Sequence, residues 1–309
     1  MTARSSQGKR DRPASPTLSI VIVSHNTREL LRACLCSVQA SGVDFSYEVF
    51  VVDTGSRDGS LAMVAAEFPE VVCLAETPEC GYSAANNLAL RQCRGTYRLL
   101  LNPDTELPRD AVAGMVAFMD TNPRVGIAGP KLVKGNGLLD LACRRSFPTP
   151  TNALYHFLRL PRLFPENSTF GAYNLTYRDP NQSYEVDSVC GAFMLLRATM
   201  LNEVGLLDET YWMYGEDLDL AFRAKQRGWK VYYNAGAEVK HYKGESSKQR
   251  SLKCTYEFFR AMHLFYRKHY ASQQPAVLNA LVTTGIALLG TVSLVADRLR
   301  PVALRRVSS

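Results

Sequence analysis

The sequence lacks the features that mark several common classes of protein. Its first 16 residues contain no apolar run, so we expect no secretory signal peptide and place the chemistry in the cytoplasm. None of the eight cysteines forms a CxxC pair, and we expect reduced, mostly buried thiols. Neither G-x-G-x-x-G nor G-x-x-x-x-G-K-[ST] occurs, which disfavours a Rossmann dinucleotide site and a P-loop.

Charge is unevenly distributed along the 309 residues. Residues 1–16 carry four basic residues and one acid, and residues 244–309 carry ten basic residues and three acids. Residues 17–243 carry 22 basic residues and 25 acids. The basic ends bring no interleaved aromatic platform or DNA-reading motif, so we expect no nucleic-acid partner. Contact with anionic lipid is the better interpretation of the C-terminal end. A hydrophobic content of 46% indicates a globular body between the two ends.

Short apolar, β-branched runs alternate with helical patterns in the first third of the chain. Strands are predicted at 18–24, 47–53, 71–75 and 96–104, and helices of roughly 10–15 residues lie between them. Thr27 is the expected N-cap of the first helix. This alternation predicts an α/β fold with a mostly parallel central sheet flanked by helices.

Beyond residue 105 the pattern is less regular. Helices are predicted at 108–120, 199–205 and 216–228, and strands at 125–133, 186–197 and 229–234, with an irregular stretch at 147–184. A glycine in the 186–197 segment indicates a weakened strand or a close backbone approach. We expect a disordered basic tail (1–16), a catalytic domain (17–243, with halves 17–130 and 131–243) and a C-terminal helical segment (244–309).

The C-terminal segment contains the longest apolar run. Residues 254–270 are aromatic and basic with a helical period, and residues 277–296 are 20 residues without a charge, long enough to cross a bilayer. Four arginines follow, at 298, 300, 305 and 306, and a crossing helix would place them outside, against the positive-inside rule. We therefore favour an in-plane or hairpin helix on the inner leaflet over a single span. A buried core helix is the third alternative.

Polar residues follow three of the predicted strands. Ser24, His25 and Asn26 come after the first strand, Asp53 ends the second, and Asn102-Pro103-Asp104 ends the fourth. Turns and caps favour the same residue types, but ligands of open α/β sheets bind at the carboxyl ends of strands, where these residues should meet. Asp104 is the candidate ligand of a divalent metal, Mg²⁺ or Mn²⁺, whose remaining ligands would come partly from a diphosphate.

Six segments together resemble the family 2 glycosyltransferases with a GT-A fold, most closely the bacterial rhamnosyltransferase-like branch. In chain order they are SIVIVSHNTRELLRACLCSV, VVDTGSRDGS, GYSAANNLAL, LLLNPDTELP, CGAFMLLRATMLNEVGLLDETYWMYGEDLDLAFRAKQRGW and VKHYKGESS. The resemblance covers roughly residues 17–247. It implies transfer of a sugar from a nucleotide-activated donor.

The resemblance also implies roles for individual residues. The implied nucleotide-sugar-binding set is Ser24, His25, Asn26, Asp53, Asp58, Asn87, Asn102, Asp104 and Arg223. Within this set Asp53 would accept a hydrogen bond from the base, and Asn102 departs from the family's D-x-D by replacing the first acid. Asp104 would then be the main metal carboxylate, with His241 as a late ligand. Arg223 is equally suited to pair with Glu216 or Asp219 on its own helix.

The pair Glu216-Asp217 matches the family's catalytic acids. Asp217 would be the general base that deprotonates the acceptor hydroxyl, and Glu216 would orient it or touch the acceptor. Asp219 is expected to face outward or cap the helix. The acceptor pocket would be walled by Tyr211, Trp212 and Tyr214, although core packing explains these aromatics equally well.

These features predict an inverting, metal-dependent glycosyltransferase of bacterial cell-wall or surface polysaccharide synthesis. The donor would be dTDP-L-rhamnose, and the acceptor a polyprenyl-diphosphate-linked sugar or a polysaccharide, at the cytoplasmic face of the plasma membrane. Two alternatives stay open. One is transfer from a UDP-hexose or another nucleotide sugar, and the other is a non-catalytic nucleotide-sugar-binding subunit, which the missing first acid of D-x-D favours.

Overall fold

The computed structural model describes residues 15–77, 80–242 and 251–299. Most of the basic tail predicted at 1–16 therefore lies outside the described residues. The same is true of residues 244–250 and of the three last arginines of the C-terminal cluster.

Within the described residues, nine strands form one sheet in the order β3-β2-β1-β4-β8-β6-β9-β5, with β7 paired to β9. The strands are β1 (Leu18–Ser24), β2 (Tyr47–Asp53), β3 (Val72–Ala75), β4 (Tyr97–Leu101), β5 (Thr105–Glu106), β6 (Val125–Lys134), β7 (Tyr184–Val186), β8 (Phe193–Arg197) and β9 (Lys230–His241). The pairs β1–β2, β2–β3 and β1–β4 are parallel. The α/β sheet expected from the sequence is confirmed.

The second half of the sheet is less parallel than expected. Strand β8 runs antiparallel to both β4 and β6, and β9 is parallel to β6 but antiparallel to β5 and β7. The strand predicted at 186–197 is two strands, β7 and β8, joined by the turn around Gly191. The strand predicted at 229–234 continues to His241, because β9 pairs with β6 as far as Lys134, and its last two residues also pair with β5 on their other side.

Helices cover the sheet and continue beyond it. They are α1 (Arg28–Ala40), α2 (Ser60–Glu67), α3 (Gly81–Leu90), α4 (Ala111–Thr121), α5 (Pro150–Phe157), α6 (Leu160–Leu163), α7 (Ala198–Val204), α8 (Glu216–Gln226), α9 (Ser251–His269) and α10 (Ala276–Leu299). Helix α1 buries Leu31, Cys34, Leu35 and Val38, a spacing that places one apolar stripe against the sheet. The stretch predicted to be irregular contains the short helices α5 and α6.

Helices α9 and α10 form an antiparallel pair attached to α8. Tyr211 and Leu218 pack against Ala261 and Phe265 of α9 in a small apolar cluster. Helix α10 lies on α9, and it is the one helix in the described part of the chain that is long and apolar enough to cross a membrane. Only 6% of its most apolar window is buried, so it is not the core helix considered as the third alternative.

The prediction that Asp219 faces outward was wrong. Its side chain is fully buried, and its carboxylate bonds to Arg223 Nε at 2.8 Å, Lys268 Nζ at 2.7 Å and His269 Nε2 at 2.8 Å. Burial opposes ionisation, but these hydrogen bonds outweigh it and lower the pKa of Asp219 to about 2. Asp219 does turn away from Asp217, as its spacing predicts, and the space it enters is filled by the end of α9.

Replacing Asp219 should therefore destabilise the protein strongly. Asp219→Asn removes the fully buried charge that pairs with Arg223 and Lys268, and we expect the free energy of unfolding in urea to fall by about 3–5 kcal/mol. Asp208→Asn is the matched control, because Asp208 shares Lys268 at 2.6 Å but both side chains are partly exposed. It should lower that free energy by about 1 kcal/mol or less. Equal losses in the two variants would contradict the role given to Asp219.

Candidate active site

The loops after β1 and β2 are bonded to each other at the carboxyl edge of the sheet. Ser24 and Asp53 are register partners at the ends of the two strands, and Thr54 N donates to Ser24 O at 2.9 Å. His25 Nδ1 lies 2.8 Å from Thr54 O, and Asn26 Oδ1 accepts from Arg57 N at 2.7 Å. His25 and Asn26 thus shape this edge through backbone contacts, with Asn26 at a positive φ of 50°.

Asp53 and Asp58 have different surroundings within the second loop. Asp53 is 1% exposed; its Oδ1 accepts from Ser56 N at 2.8 Å, whereas its Oδ2 is buried without a hydrogen-bond partner in the described part of the chain. A buried carboxylate oxygen in that state is suited to accept from a ligand. Asp58 accepts from Arg28 N at 2.8 Å and so caps α1, the role predicted for Thr27, whose hydroxyl instead contacts Ser24.

Asp104 lies against His241 on the neighbouring strand. Asp104 Oδ1 is 3.4 Å from His241 Nε2, and Asp140 Oδ2 is 3.1 Å from His241 Nδ1. All three side chains are almost fully buried. Burial lowers the pKa of His241, but its hydrogen bonds to the two carboxylates outweigh this and raise it to about 9.

This arrangement fits a metal that is held only in part by protein. Among residues 15–77, 80–242 and 251–299 there is no cluster of three His, Cys, Asp or Glu side chains with metal-binding geometry. The 3.4 Å between Asp104 Oδ1 and His241 Nε2 is close to the roughly 3 Å that separates adjacent ligands of an octahedral ion with bonds of about 2.1 Å. Asp140 contacts the other imidazole nitrogen, as carboxylates behind metal-bound histidines do.

Tyr82 connects the Asn102 loop to the segment that precedes β8. Its hydroxyl donates to Asn102 Oδ1 at 3.1 Å and lies 3.4 Å from Gly191 O. Asn102 N donates to Ala192 O at 2.9 Å. The side chain of Asn102 therefore accepts a neutral hydrogen bond, which does not require the acid that the family carries at this position.

Glu216 and Asp217 begin α8 beside the same segment. Asp217 Oδ2 accepts from Arg145 Nη2 at 2.5 Å and from Gly191 N at 3.3 Å, and Asp217 Oδ1 accepts from Leu218 N at 2.8 Å. The first turn of a helix favours both acids. Burial would lower the pKa of Arg145, but the charge of Asp217 raises it beyond its usual range, so Arg145 keeps its positive charge beside Asp217.

Within the part of the chain that the structure describes, Glu216 has no cationic hydrogen-bond partner of the kind that Asp217 has. Burial and then the charge of Asp217 raise the pKa of Glu216 to about 8, and its Oε2 has no hydrogen-bond partner among the described residues. A Cβ placed on Gly191 would lie 3.8 Å from Asp217 Cβ and 3.9 Å from Glu216 Oε1. The space beside the two carboxyl groups is thus bordered by bare backbone.

Two residues of the predicted nucleotide-sugar set lie in other contacts. Asn87 Nδ2 donates to Leu207 O and Glu209 Oε1, at 2.8 and 2.9 Å. Arg223 pairs with Asp219 and donates to Val204 O and Leu206 O, at 2.7 and 2.8 Å. These bonds are structural, and the structure does not bring either residue to the carboxyl edge with Asp53 and Asp104.

The three aromatic residues predicted to wall an acceptor pocket mostly contact α9. Tyr211 is 1% exposed and belongs to the apolar cluster with Phe265. Tyr214 contacts Phe258 edge-on at 5.9 Å between ring centroids, and Lys253 Nζ lies 3.6 Å from the ring centroid of Trp212. Trp212 and Tyr214 are half-buried, so they alone of the three present surface to a ligand.

Four residues of this site were not predicted. Tyr82 and Gly191 lie within segments that carry the family resemblance, and the glycine already indicated a close backbone approach. Arg145 belongs to an adjacent pair of arginines next to the irregular stretch, and Asp140 is a single acid. Neither has a sequence signal, because the contacts that define them span 72 and 101 residues.

Sheet order, the loops at its carboxyl edge and the acids at the start of α8 define a GT-A-type glycosyltransferase. The family model for glycosyl transferase family 2 matches residues 19–205, and the chain belongs to this family. It is therefore a glycosyltransferase enzyme, as its sequence predicted.

Curated relatives share about a quarter of their residues with the chain. The N-acetylglucosaminyl-diphospho-decaprenol L-rhamnosyltransferase of Mycobacterium tuberculosis is 26% identical over 241 residues, which cover 74% of this chain and 77% of the relative. Rhamnosyltransferase WbbL of Escherichia coli is 25% identical over 232 residues, covering 72% and 82%.

Solved structures support the fold. The mannosyltransferase PcManGT of Pyrobaculum calidifontis, in complex with GDP-Man and Mn²⁺, superposes with a TM-score of 0.55 at 16% identity over 94% of this chain and 78% of that one. TarS 1-349 of S. aureus in complex with UDP gives 0.53 at 16% identity, over 88% and 70%. GalNAc-T7 with UDP, GalNAc and Mn²⁺ gives 0.52 at 17% identity, over 74% of this chain and 44% of that one.

Glu216 should give the stability of the protein a distinct pH dependence. Its folded-state pKa of about 8 exceeds the ordinary 4.5, so the free energy of unfolding should fall as pH rises from about 4.5 to about 8. One group contributes at most about 1.4 kcal/mol per pH unit. In urea titrations across this range Glu216→Gln should give a flatter profile, whereas Glu70→Gln, at an exposed position, should keep the wild-type slope. A wild-type slope in Glu216→Gln would show that Glu216 is ionised in the folded protein.

Proposed function

We propose that the chain is an inverting, metal-dependent rhamnosyltransferase. It would transfer L-rhamnose from dTDP-L-rhamnose to a polyprenyl-diphosphate-linked sugar at the cytoplasmic face of the membrane, in the synthesis of a cell-wall or surface polysaccharide. The main observation in support is that Asn102 and Asp217 both form hydrogen bonds with residues 191–192. The candidate donor and catalytic loops are therefore neighbours. The rhamnosyltransferase names of two relatives support the choice of donor and acceptor.

The catalytic step needs a base beside the acceptor hydroxyl. The acceptor oxygen attacks the anomeric carbon, its proton passes to Asp217, and the bond from that carbon to the diphosphate breaks with its electron pair on the leaving nucleotide. Attack from the face opposite the leaving group inverts the anomeric centre. Arg145, whose Nη2 lies 2.5 Å from Asp217 Oδ2, fixes the orientation of this carboxylate.

Glu216 has the complementary property. As a carboxyl group that holds its proton near neutral pH, it can donate a hydrogen bond to a sugar oxygen while Asp217 accepts one. Two acids with different protonation states side by side are a common arrangement in enzymes that transfer protons.

On the donor side, Asp53 would accept from the N3–H of the pyrimidine base through its free Oδ2, and His25 and Asn26 would shape the nucleotide loop. Asp104 and His241, with Asp140 behind them, would hold Mg²⁺ or Mn²⁺. When bound, such a cation offsets the negative charge that develops on the leaving diphosphate.

A donor screen tests the proposal. Purified full-length protein should transfer sugar from dTDP-L-rhamnose to a lipid-linked N-acetylglucosaminyl diphosphate at least about tenfold faster than from UDP- or GDP-sugars. Asp217→Asn should bind dTDP as wild type does and lose at least about 100-fold in transfer rate, and the exposed Asp44→Asn should match wild type in both. A wild-type transfer rate in Asp217→Asn would refute the assignment of Asp217 as the general base. Faster transfer from a UDP-sugar than from dTDP-L-rhamnose would refute the proposed donor.

The metal site makes a separate prediction. The cation should tighten dTDP binding to the wild type, because Asp104 would hold a positive charge that attracts the diphosphate. Calorimetric titration with dTDP, with and without Mn²⁺, should show this tightening abolished in Asp104→Asn and retained in Asp110→Asn, the same change at an exposed position. Full tightening in Asp104→Asn would contradict the assignment.

A further inference from the structure

The polarity of α10 is reversed relative to that of an ordinary surface helix. Two of its polar side chains, near its ends, face the protein: Asn279 Oδ1 accepts from Tyr266 OH at 2.7 Å, and Asp297 Oδ2 accepts from Thr255 Oγ1 at 2.6 Å. The small polar residues Thr283, Thr284 and Thr291 are exposed. Large apolar side chains point outward, each at least 40% exposed: Val277, Leu281, Leu288, Leu289, Val292, Val295 and Leu299. Helices that face water have the opposite pattern, so the outer face of α10 is suited to apolar surroundings.

Polar bonds attach α10 to α9 near both of its ends. Asn279 and Asp297 are separated by 18 residues, or about 27 Å of helix, nearly the thickness of the hydrocarbon core of a bilayer. Over the same length α9 carries Glu257, Arg260 and Arg267, and Lys268 holds Asp219. If α10 crossed a bilayer, it would either break both polar bonds or draw these charges into lipid.

Helix α5, which precedes α6 directly, adjoins α10 through one residue of α9. The ring of Phe157 in α5 stacks on that of Phe259 at 6.4 Å between centroids. Phe259 also lies against Gly290 of α10, where an added Cβ would approach its ring within 3.2 Å. The exposed apolar side chains of this neighbouring segment are Leu154, Leu158, Leu163 and Phe164.

We propose that these two apolar faces form one surface that lies in the plane of an anionic bilayer, without crossing it. We call it the lipid-facing surface and define it as the outer face of α10 together with Leu154, Leu158, Leu163 and Phe164. The inference rests on the proposed function in one respect, since a lipid-linked acceptor requires the enzyme to work at a membrane.

Charge favours lipid over a protein partner. Residues 277–296 carry no charge, whereas exposed Arg159, Arg162 and Arg298 border the apolar residues and Glu166 is the one acid between 150 and 166. Arginines at the rim of an apolar face can reach anionic headgroups while their aliphatic stems stay in the interface. The exposed Thr291 returns its hydroxyl to Ala287 O at 2.9 Å, so it needs no partner from water.

The surface is joined to the candidate active site through α9. At the end of α9, Lys268 and His269 bond to Asp219, one turn along the helix that begins with Glu216. Docking would therefore hold α8 at a fixed height above the membrane, which suits an acceptor whose diphosphate lies at the headgroups.

Vesicle flotation of full-length protein tests the surface. Wild type should bind vesicles containing 30% phosphatidylglycerol and bind pure phosphatidylcholine vesicles more weakly. Leu158→Asp and Leu288→Asp should each lower the affinity at least about tenfold. Leu138→Asp is the matched control, because Leu138 is 63% exposed outside the surface, and it should stay within about twofold of wild type. Wild-type binding by Leu158→Asp would remove α5 and α6 from the surface.

Depth measurements distinguish an α10 that lies in the plane of the bilayer from one that crosses it. Tryptophan placed at 281, 288 or 295, with Trp212 and Trp229 of wild type as background, should be quenched equally by lipids brominated at one shallow depth. A deep maximum at 288 would overturn the in-plane arrangement. Absence of vesicle binding, with a dimer that Leu288→Asp dissociates, would assign the surface to a second copy and overturn the proposal.

Transfer assays separate this inference from the proposed function. Leu158→Asp and Leu288→Asp should keep wild-type rates with a short-chain, water-soluble acceptor and lose activity only with acceptor embedded in vesicles. Vesicle binding without transfer to either acceptor would contradict the proposed function and leave the surface supported. Loss with the soluble acceptor as well would show that these substitutions act on the fold and overturn the docking role.

Discussion

Two peptide groups, those of Gly191 and Ala192, connect the loops on which the candidate chemistry depends. On one side, Ala192 O accepts a hydrogen bond from Asn102 N, and Gly191 O accepts one from the Tyr82 hydroxyl. On the other side, Gly191 N donates to Asp217 Oδ2. This position exists because β8 inserts antiparallel between β4 and β6, so the turn before β8 lies at the carboxyl end of β4. A side chain at position 191 would fill the space beside Glu216 and Asp217 without a close clash. Packing alone therefore does not require a glycine here, and we attribute the glycine to the function of the site.

Buried charge is concentrated around α8. Asp217 is paired with one cation, Arg145, and Asp219 with two, Arg223 and Lys268, and with the imidazole of His269. Burial raises the pKa of Glu216 to about 8, so this carboxyl group keeps its proton at neutral pH. Buried ion pairs are not a strong source of stability, because desolvation offsets most of their attraction. They do specify one arrangement. Asp217 and Glu216 have different neighbours although they are adjacent in sequence: Asp217 is paired with Arg145, whereas burial and the nearby Asp217 raise the pKa of Glu216 to about 8.

The sequence was a good guide to whatever depends on local pattern. Strands β1, β2 and β4 were predicted because each is a short buried run, and their parallel order places Ser24, Asp53 and Asn102 at one edge. The direction of β8 could not be predicted, since nothing within five residues encodes the sense of its pairing. Asp219 was misplaced for a similar reason: its spacing from Asp217 is local, but its partner His269 lies 50 residues away. Tyr211 was assigned to a pocket by residue type, and α9 covers it.

Gly81 has a consequence for how ligands on the two sides of the site can influence each other. Its φ of 79° and the closeness of Trp212 O, 2.6 Å from where a Cβ would stand, leave room for no other residue. The next residue donates its N–H to the same carbonyl at 2.6 Å, and its phenol reaches Asn102. If the proposed acceptor sugar displaced Trp212, it would strain this connection to the Asn102 loop. Thermodynamic linkage would then require a bound nucleotide to change the affinity for that sugar by the same factor.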